Sequence, residues 1–359
     1  MKINPVYIIA EAGVNHNGDN GMAFALIDAA AEAGADAVKF QTFDAIKLAS
    51  KHAPKASYQK GLTDGSESQL DMLKKLELPK EWHSHLKSHC IQRGIEFLST
   101  AFDSDSLQFL NDLGVNRFKI PSGELANGPL LWQFGRTKKP LILSTGMAYL
   151  SEVEEALAIV SHALRFDHEP HSLQDVWQAW SDPVGRQVLE GHVTLLHCTS
   201  RYPTPFNQVN LRAMDTLASA FGLPVGYSDH TEGALIPVAA VARGACVIEK
   251  HFTLDRNLPG PDHQASLEPH ELKQMVCQIR ALQDAFGHGG KSPYPEEWDT
   301  RRAARQQVVA ARAIEKGVRL TRDDLTTARC GAGMLPSALW AMVGTTANHS
   351  YQAGVPIGE

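Results

Sequence analysis

Short apolar runs, each ending in a polar cluster, recur along the first four-fifths of the chain. Val6-Tyr7-Ile8-Ile9-Ala10 reads as a strand that runs into the turn-rich loop Glu11 to Asp19, and residues 21–34 predict a helix stopped by Gly34. Ala37-Val38-Lys39-Phe40 is the second strand, followed by a polar loop from Asp44 to Gly65 and helical segments over 67–93. Glu96 to Ser99, Arg117 to Ile120, Leu141 to Ser144 and Val193 to His197 continue the strands. Ser104 to Leu113 and 211–221 are helical, and Ser151, with Glu154 three residues on, predicts a capped helix start. Pro224-Val225-Gly226-Tyr227 and Cys246-Val247-Ile248 are the last two strands, separated by a helix from Gly233 to Gly244. A final helix begins near Pro269 and ends at Gly287. Eight strand–helix units in about 286 residues have the rhythm of a (β/α)8 TIM barrel. A doubly wound open sheet would need a GxGxxG turn after its first strand, and none occurs there. Gly289-Gly290-Lys291-Ser292 imitates a P-loop end, but Ala285 stands where the required earlier glycine would be.

Two regions break this rhythm. Residues 165–191, with Trp177 and Trp180, read as an insertion whose tryptophans cap part of the barrel by packing. From Gly287 to Trp298 runs a Gly/Pro-rich linker, and beyond it short apolar runs and tight turns fit a small β-rich module. The expected organisation is a barrel over 1–286, a linker over 287–300 and the module over 301–359. A module of that size buries little surface alone and is expected to dock on something.

Composition narrows the class. Of 359 residues, 43% are hydrophobic and 21% charged, an ordinary globular balance, and a net charge of −6 argues against non-specific nucleic-acid binding. Five scattered cysteines without CxxC spacing, and an N-terminus lacking the apolar core of a signal peptide, predict reduced thiols and a cytoplasmic home. No run approaches the ~18 apolar residues of a membrane span. His85 and His89 are spaced to share a metal but read as solvated helix surface, and the Asn348-His349-Ser350 sequon is discounted in a chain that is not secreted.

In a barrel, residues at the strand ends surround one mouth. Here those ends supply Glu11, Asn15, Lys39, Gln41, Ser99, Thr100, Lys119, Ser122, Glu124, Ser144, Thr145, His197, Ser200, Tyr202, Ser228, Asp229, His230 and His251. Two lysines with several hydroxyls suit a phosphate or carboxylate. His230 and His251, at the exits of the last two strands, form half of a divalent-metal site, open to water and substrate; the alternative is two unrelated, locally bonded histidines. Glu124 or Glu11 can move protons or hold a water.

The motifs Ile9 to Gly18, Val38-Lys39-Phe40-Gln41-Thr42, Phe118 to Glu124, Leu143 to Met147, Leu196 to Thr199, Tyr202-Pro203-Thr204-Pro205, Ser228-Asp229-His230-Thr231 and His251-Phe252-Thr253 occur in order. Together they resemble the sialic acid synthases, and Arg329-Cys330-Gly331-Ala332-Gly333 resembles that family's antifreeze-like (SAF) domain. The resemblance implies condensation of phosphoenolpyruvate with the open-chain aldehyde of an N-acetylmannosamine-type sugar, with release of phosphate. By resemblance, His230 and His251 hold a divalent metal, Mn2+ with Mg2+ or Co2+ as alternatives. Lys39, Lys119, Ser122, Ser144, Ser200 and Ser228 cradle phosphoenolpyruvate. Glu124, Glu11 and Lys119 are catalytic. Gln41, Tyr202, Asp262 and Arg329 meet the sugar, Arg329 from a partner subunit in a domain-swapped homodimer. Many members carry Asn at the position of Ser200, and shorter relatives lack the insertion. N-acetylneuraminate synthesis is the main expectation, and a legionaminate or pseudaminate synthase using a diacetamido-trideoxyhexose is the alternative. Two further alternatives are a deoxy-sugar-acid phosphate synthase and a non-catalytic sugar-binding barrel.

Overall fold

The computed structural model describes residues 5–55 and 68–358, so part of the polar loop expected after the second strand lies outside the described residues. Eight parallel strands close into a barrel in chain order. They are β1 (Tyr7–Gly13), β2 (Ala37–Thr42), β3 (Glu96–Ala101), β4 (Phe118–Ile120), β5 (Leu141–Ser144), β6 (Val193–Cys198), β7 (Val225–Asp229) and β8 (Val247–His251). Helices pack outside. Asp19 caps helix Asn20–Ala33 by accepting the Met22 N–H, and Gly34 ends it with φ 82°. The helix expected to start at Ser151 spans Leu150–Arg165 instead, because the Glu152 carboxylate accepts the Tyr149 N–H at 2.7 Å and starts the first turn earlier.

Strand alternation sorts the barrel interior into tiers. At the N-terminal end, Tyr7 donates to Glu96 at 2.6 Å and Arg117 pairs with the same carboxylate at 3.1 Å. Above this polar plug lies an apolar tier of Ile9, Ala37, Leu98, Ile142, Leu196 and Val247. One step higher, the same strands present Glu11, Lys39, Thr100, Ser144, Cys198 and Glu249, with Lys119 from β4 and Ser228 from β7. The residues between them face outward. Ser99 bonds Thr42 at 2.6 Å and His197 bonds the Val209 carbonyl at 2.8 Å, both on the helix side. Neither belongs to the mouth where sequence reading put them.

Asp229 also faces outward. It pairs with Lys250 at 2.5 Å, both side chains fully buried, and the Lys250 ammonium also reaches the Thr231 carbonyl. Asp229 and Lys250 are register partners, so this ion pair ties together the two strand ends that carry His230 and His251. Lys250→Met leaves Asp229 buried without a counter-charge, held only by the Thr231 N–H and hydroxyl. Its unfolding free energy in urea should fall by about 3–5 kcal/mol.

The insertion packs against the helical layer, with Trp180 in the main apolar core. It forms helices Leu173–Trp180 and Val184–Gln187 on the outer flank of helix Leu150–Arg165. Trp180 donates to Glu154 at 3.0 Å, and Arg165 donates to the Ala179 carbonyl at 2.7 Å. The tryptophan-bearing helix thus thickens the helical layer beside helix Leu150–Arg165.

The chain divides into two compact units, Met1–Gly287 and His288–Glu359. The second contains an antiparallel pair, β9 (Gln307–Ala310) and β10 (Leu325–Ala328), over a core that includes Val308, Ile314, Leu325, Leu339 and Ile357. Arg329 follows β10 and is exposed. Among the described residues, no helix is long and apolar enough to cross a membrane.

Candidate active site

The charged tier floors a cavity of about 370 Å³ at the C-terminal end of the barrel. Its lining contains Glu11, Lys39, Gln41, Lys119, Ser122, Ser144, Ser200, Tyr202, Ser228, His230, His251 and Asp262. Glu124 is outside that lining, and its carboxylate takes the Asn127 amide at 2.7 Å. Arg329 belongs to the other unit.

The floor is an alternation of charges. Lys39 lies 2.7 Å from Glu11, donates to Thr100 at 2.9 Å and lies 3.6 Å from Glu249. Lys119 lies 3.4 Å from Glu249, and Ser228 donates to that carboxylate at 2.7 Å. Sequence reasoning missed Glu249 as a site residue. The signal was present, because Glu249 stands two positions before His251 on β8 and must face the same way.

Burial governs the protonation of this floor. It pushes Glu11 up to about 7, although Lys39 pulls the other way. Burial also works against the Glu249 charge, but Lys119 and Lys39 outweigh it and hold Glu249 down at about 2. Burial opposes the Lys39 ammonium too, and Glu11 and Glu249 more than compensate, leaving it above its ordinary pKa. Lys119 is drawn below its ordinary value by burial, with Glu249 opposing and Lys39 adding to the effect. Burial alone raises Asp262 to about 6.

Beside the lysines is a hydroxyl-rich corner. Ser122 accepts the Gly146 N–H at 2.9 Å and lies 3.2 Å from the Cys198 sulfur. A Cβ on Gly146 would fall 2.6 Å from the Ser200 hydroxyl and 2.8 Å from that of Ser122, so only glycine lets these groups converge. The Ser144 hydroxyl is buried with no hydrogen-bond partner among the described residues.

On the other side stand the two histidines, their ring centroids 5.5 Å apart, with Tyr202 4.1 Å from His230. His230 donates from Nδ1 to the Thr199 carbonyl at 2.6 Å, which leaves Nε2 as its free lone pair. His251 Nδ1 is buried without a hydrogen-bond partner, and its nearest carboxylate oxygen, on Asp262, is 3.9 Å away. Burial lowers the pKa of both rings, which keeps them neutral. Among the described residues, no group of three or more His, Cys, Asp or Glu is arranged to hold a metal. Two neutral imidazoles, one with an orphaned nitrogen, still fit a divalent ion whose remaining positions are filled by water and substrate oxygens.

The NeuB family model matches residues 26–291, and a SAF domain model matches residues 305–359. The chain belongs to the NeuB family, the sialic acid (nonulosonic acid) synthases. Among its relatives, the N,N'-diacetyllegionaminic acid synthase of Campylobacter jejuni is 48% identical over 352 residues, covering 98% of each chain. That of Legionella pneumophila is 46% identical over 351 residues, 98% of this chain and 93% of its own. A solved structure, the N-acetylneuraminic acid synthetase of Leptospira borgpetersenii with citrate, is 34% identical with a TM-score of 0.66. The match covers 83% of this chain and 90% of that one. As a NeuB-family member with a SAF domain, the chain carries its candidate chemistry in the first unit, where the lysines, hydroxyls and histidines share one cavity.

Proposed function

We propose that this NeuB-family chain joins phosphoenolpyruvate to the aldehyde of a diacetamido-trideoxyhexose, giving a legionaminic-type nonulosonic acid and phosphate. The single observation that favours this sugar over the N-acetylmannosamine first expected is the 46–48% identity to two N,N'-diacetyllegionaminic acid synthases over nearly the full chain. The cavity supports the chemistry. Lys39 and Lys119 neutralise the anionic groups of phosphoenolpyruvate, and Ser122, Ser144, Ser200 and Ser228 hydrogen-bond its oxygens. Glu249, lying between the lysines, keeps them charged and spaced. His230 and His251 would hold the divalent ion, manganese by expectation, which would supply Lewis-acid polarisation of the aldehyde oxygen.

In the proposed reaction, C3 of phosphoenolpyruvate forms a bond to the aldehyde carbon and the aldehyde oxygen gains a proton. Water adds at C2, loses its protons, and phosphate leaves with the former enol oxygen, so a 2-keto acid results. Glu11, held near neutrality by burial, suits the proton transfers at these carbons better than Glu124, whose carboxylate is occupied by Asn127. Gln41, Tyr202 and Asp262 are proposed to meet the sugar. Arg329 is proposed to do so for a partner chain in a homodimer, a part that a strictly monomeric mass in light scattering would remove.

The test is phosphate release from phosphoenolpyruvate with a panel of acceptors. The diacetamido-trideoxyhexose should give the highest kcat/KM, N-acetylmannosamine a lower one and 6-phosphorylated sugars the least. A preference for a 6-phosphorylated sugar would contradict the reading.

A further inference from the structure

The cavity has one wall that the proposed reaction does not use. Helix Gln69–Leu76, capped by Ser68 accepting the Asp71 N–H at 3.1 Å, turns Met72, Leu73 and Leu76 into the cavity. Val14 from the β1 loop and Phe102 from the end of β3 complete the surface. Met72, Leu76 and Val14 pack with Phe43, Ala45 and Leu70 into an apolar cluster separate from the main core, with Leu73 and Phe102 lying against it. The wall is therefore preformed, and its five side chains carry no strong hydrogen-bonding group.

Its position gives it meaning. In the closed ring β3 lies half-way round from β7, so Phe102 and helix Gln69–Leu76, which precedes β3, stand across the mouth from His230, while Val14 closes the wall on the β1 side. Of the polar side chains proposed to meet the sugar, Tyr202 and Asp262 cluster around the histidines, Tyr202 against His230 and Asp262 beside His251, while the Gln41 amide is directed to Glu11 at 3.5 Å. An acceptor with its aldehyde at the histidines and its other end across the mouth lies against the apolar wall. A hydroxyl arriving there would lose water without gaining a partner among the five wall side chains, whereas a methyl group would be buried favourably.

We infer that Met72, Leu73 and Leu76, with Val14 and Phe102, receive the deoxygenated C6 end of the acceptor and select 6-deoxy sugars over 6-hydroxy ones. This rests on the functional reading above and deepens it by assigning part of the sugar specificity to one helix.

The experiment compares two acceptors that differ only at C6, the diacetamido-trideoxyhexose and the corresponding diacetamidohexose with a 6-hydroxyl. Wild type should favour the 6-deoxy sugar by about ten- to a hundredfold in kcat/KM, the range open to an apolar pocket rejecting a hydroxyl. Leu73 is only half-buried, so it is the position to change. Leu73→Asn should bring the preference down several-fold, and Leu73→Met should retain it. Equal kcat/KM for the two sugars in wild type overturns the inference without any variant. A Leu73→Asn enzyme that loses activity equally on both sugars, leaving the ratio unchanged, overturns it as well, because that is the behaviour of a purely structural side chain. Should Leu73→Asn fail to fold, Met72→Gln replaces it under the same criterion. Failure to use the trideoxyhexose at all, with N-acetylmannosamine accepted, is a different outcome. It removes the functional reading itself, and this inference with it.

Discussion

Lys119→Ala is expected to cut kcat/KM for phosphoenolpyruvate by about 2–5 kcal/mol, roughly thirty- to several-thousandfold, while changing the KM of the sugar little. The lysine is buried, 3.4 Å from Glu249, on the cavity floor. Its removal takes one of the two floor ammonium groups from an anionic ligand and leaves the Glu249 carboxylate, which Lys119 and Lys39 together stabilise, with only Lys39 to offset its charge. The effect should therefore exceed the loss of one hydrogen bond. Steady-state kinetics with each substrate varied in turn checks it. An unchanged KM and kcat for phosphoenolpyruvate would exclude Lys119 from the anion cradle.

Removal of divalent metal should have the second large effect. A chelated sample should lose turnover by about a thousandfold or more, roughly 4 kcal/mol of transition-state stabilisation, and manganese should restore it. His251→Ala should not be restored by manganese at concentrations that saturate the wild type. Direct manganese titration, followed by the loss of the free-ion electron paramagnetic resonance signal, should show about one tight site in the wild type and none in the variant. Full activity in a metal-free sample would return the two histidines to ordinary buried residues.

Much of the architecture was legible because each strand is a short apolar run that ends where its polar residues begin. The eightfold repetition of that pattern implied the barrel, and the strands as built match the predicted runs within a few residues. What the runs alone did not convey was direction. Consecutive polar residues at a strand end face opposite sides, so Thr100, Cys198 and Ser228 reach the cavity while Ser99, His197 and Asp229 turn toward the helices. Counting by twos from Lys39 or His251 would have sorted these pairs and found Glu249. The apolar wall was harder to see. Met72, Leu73 and Leu76 read as an ordinary amphipathic helix, and only the fold shows that part of its apolar face borders the cavity rather than the core. The packing of the insertion was legible, but its place was not, for a related reason. Trp177 and Trp180 announce burial, but the helix that carries them packs beside the preceding helix, a tertiary choice that composition does not encode.

The central claim is that the two halves of the cavity, the lysine–hydroxyl floor and the histidine pair, serve one condensation. It is tested most directly by incubating the protein with phosphoenolpyruvate, the diacetamido-trideoxyhexose and manganese, then measuring phosphate and the nine-carbon 2-keto acid in the same sample. The account predicts equal amounts of the two, with none of either when the sugar is omitted. Phosphate released without the nine-carbon acid, or no phosphate with any acetamido sugar, would contradict it.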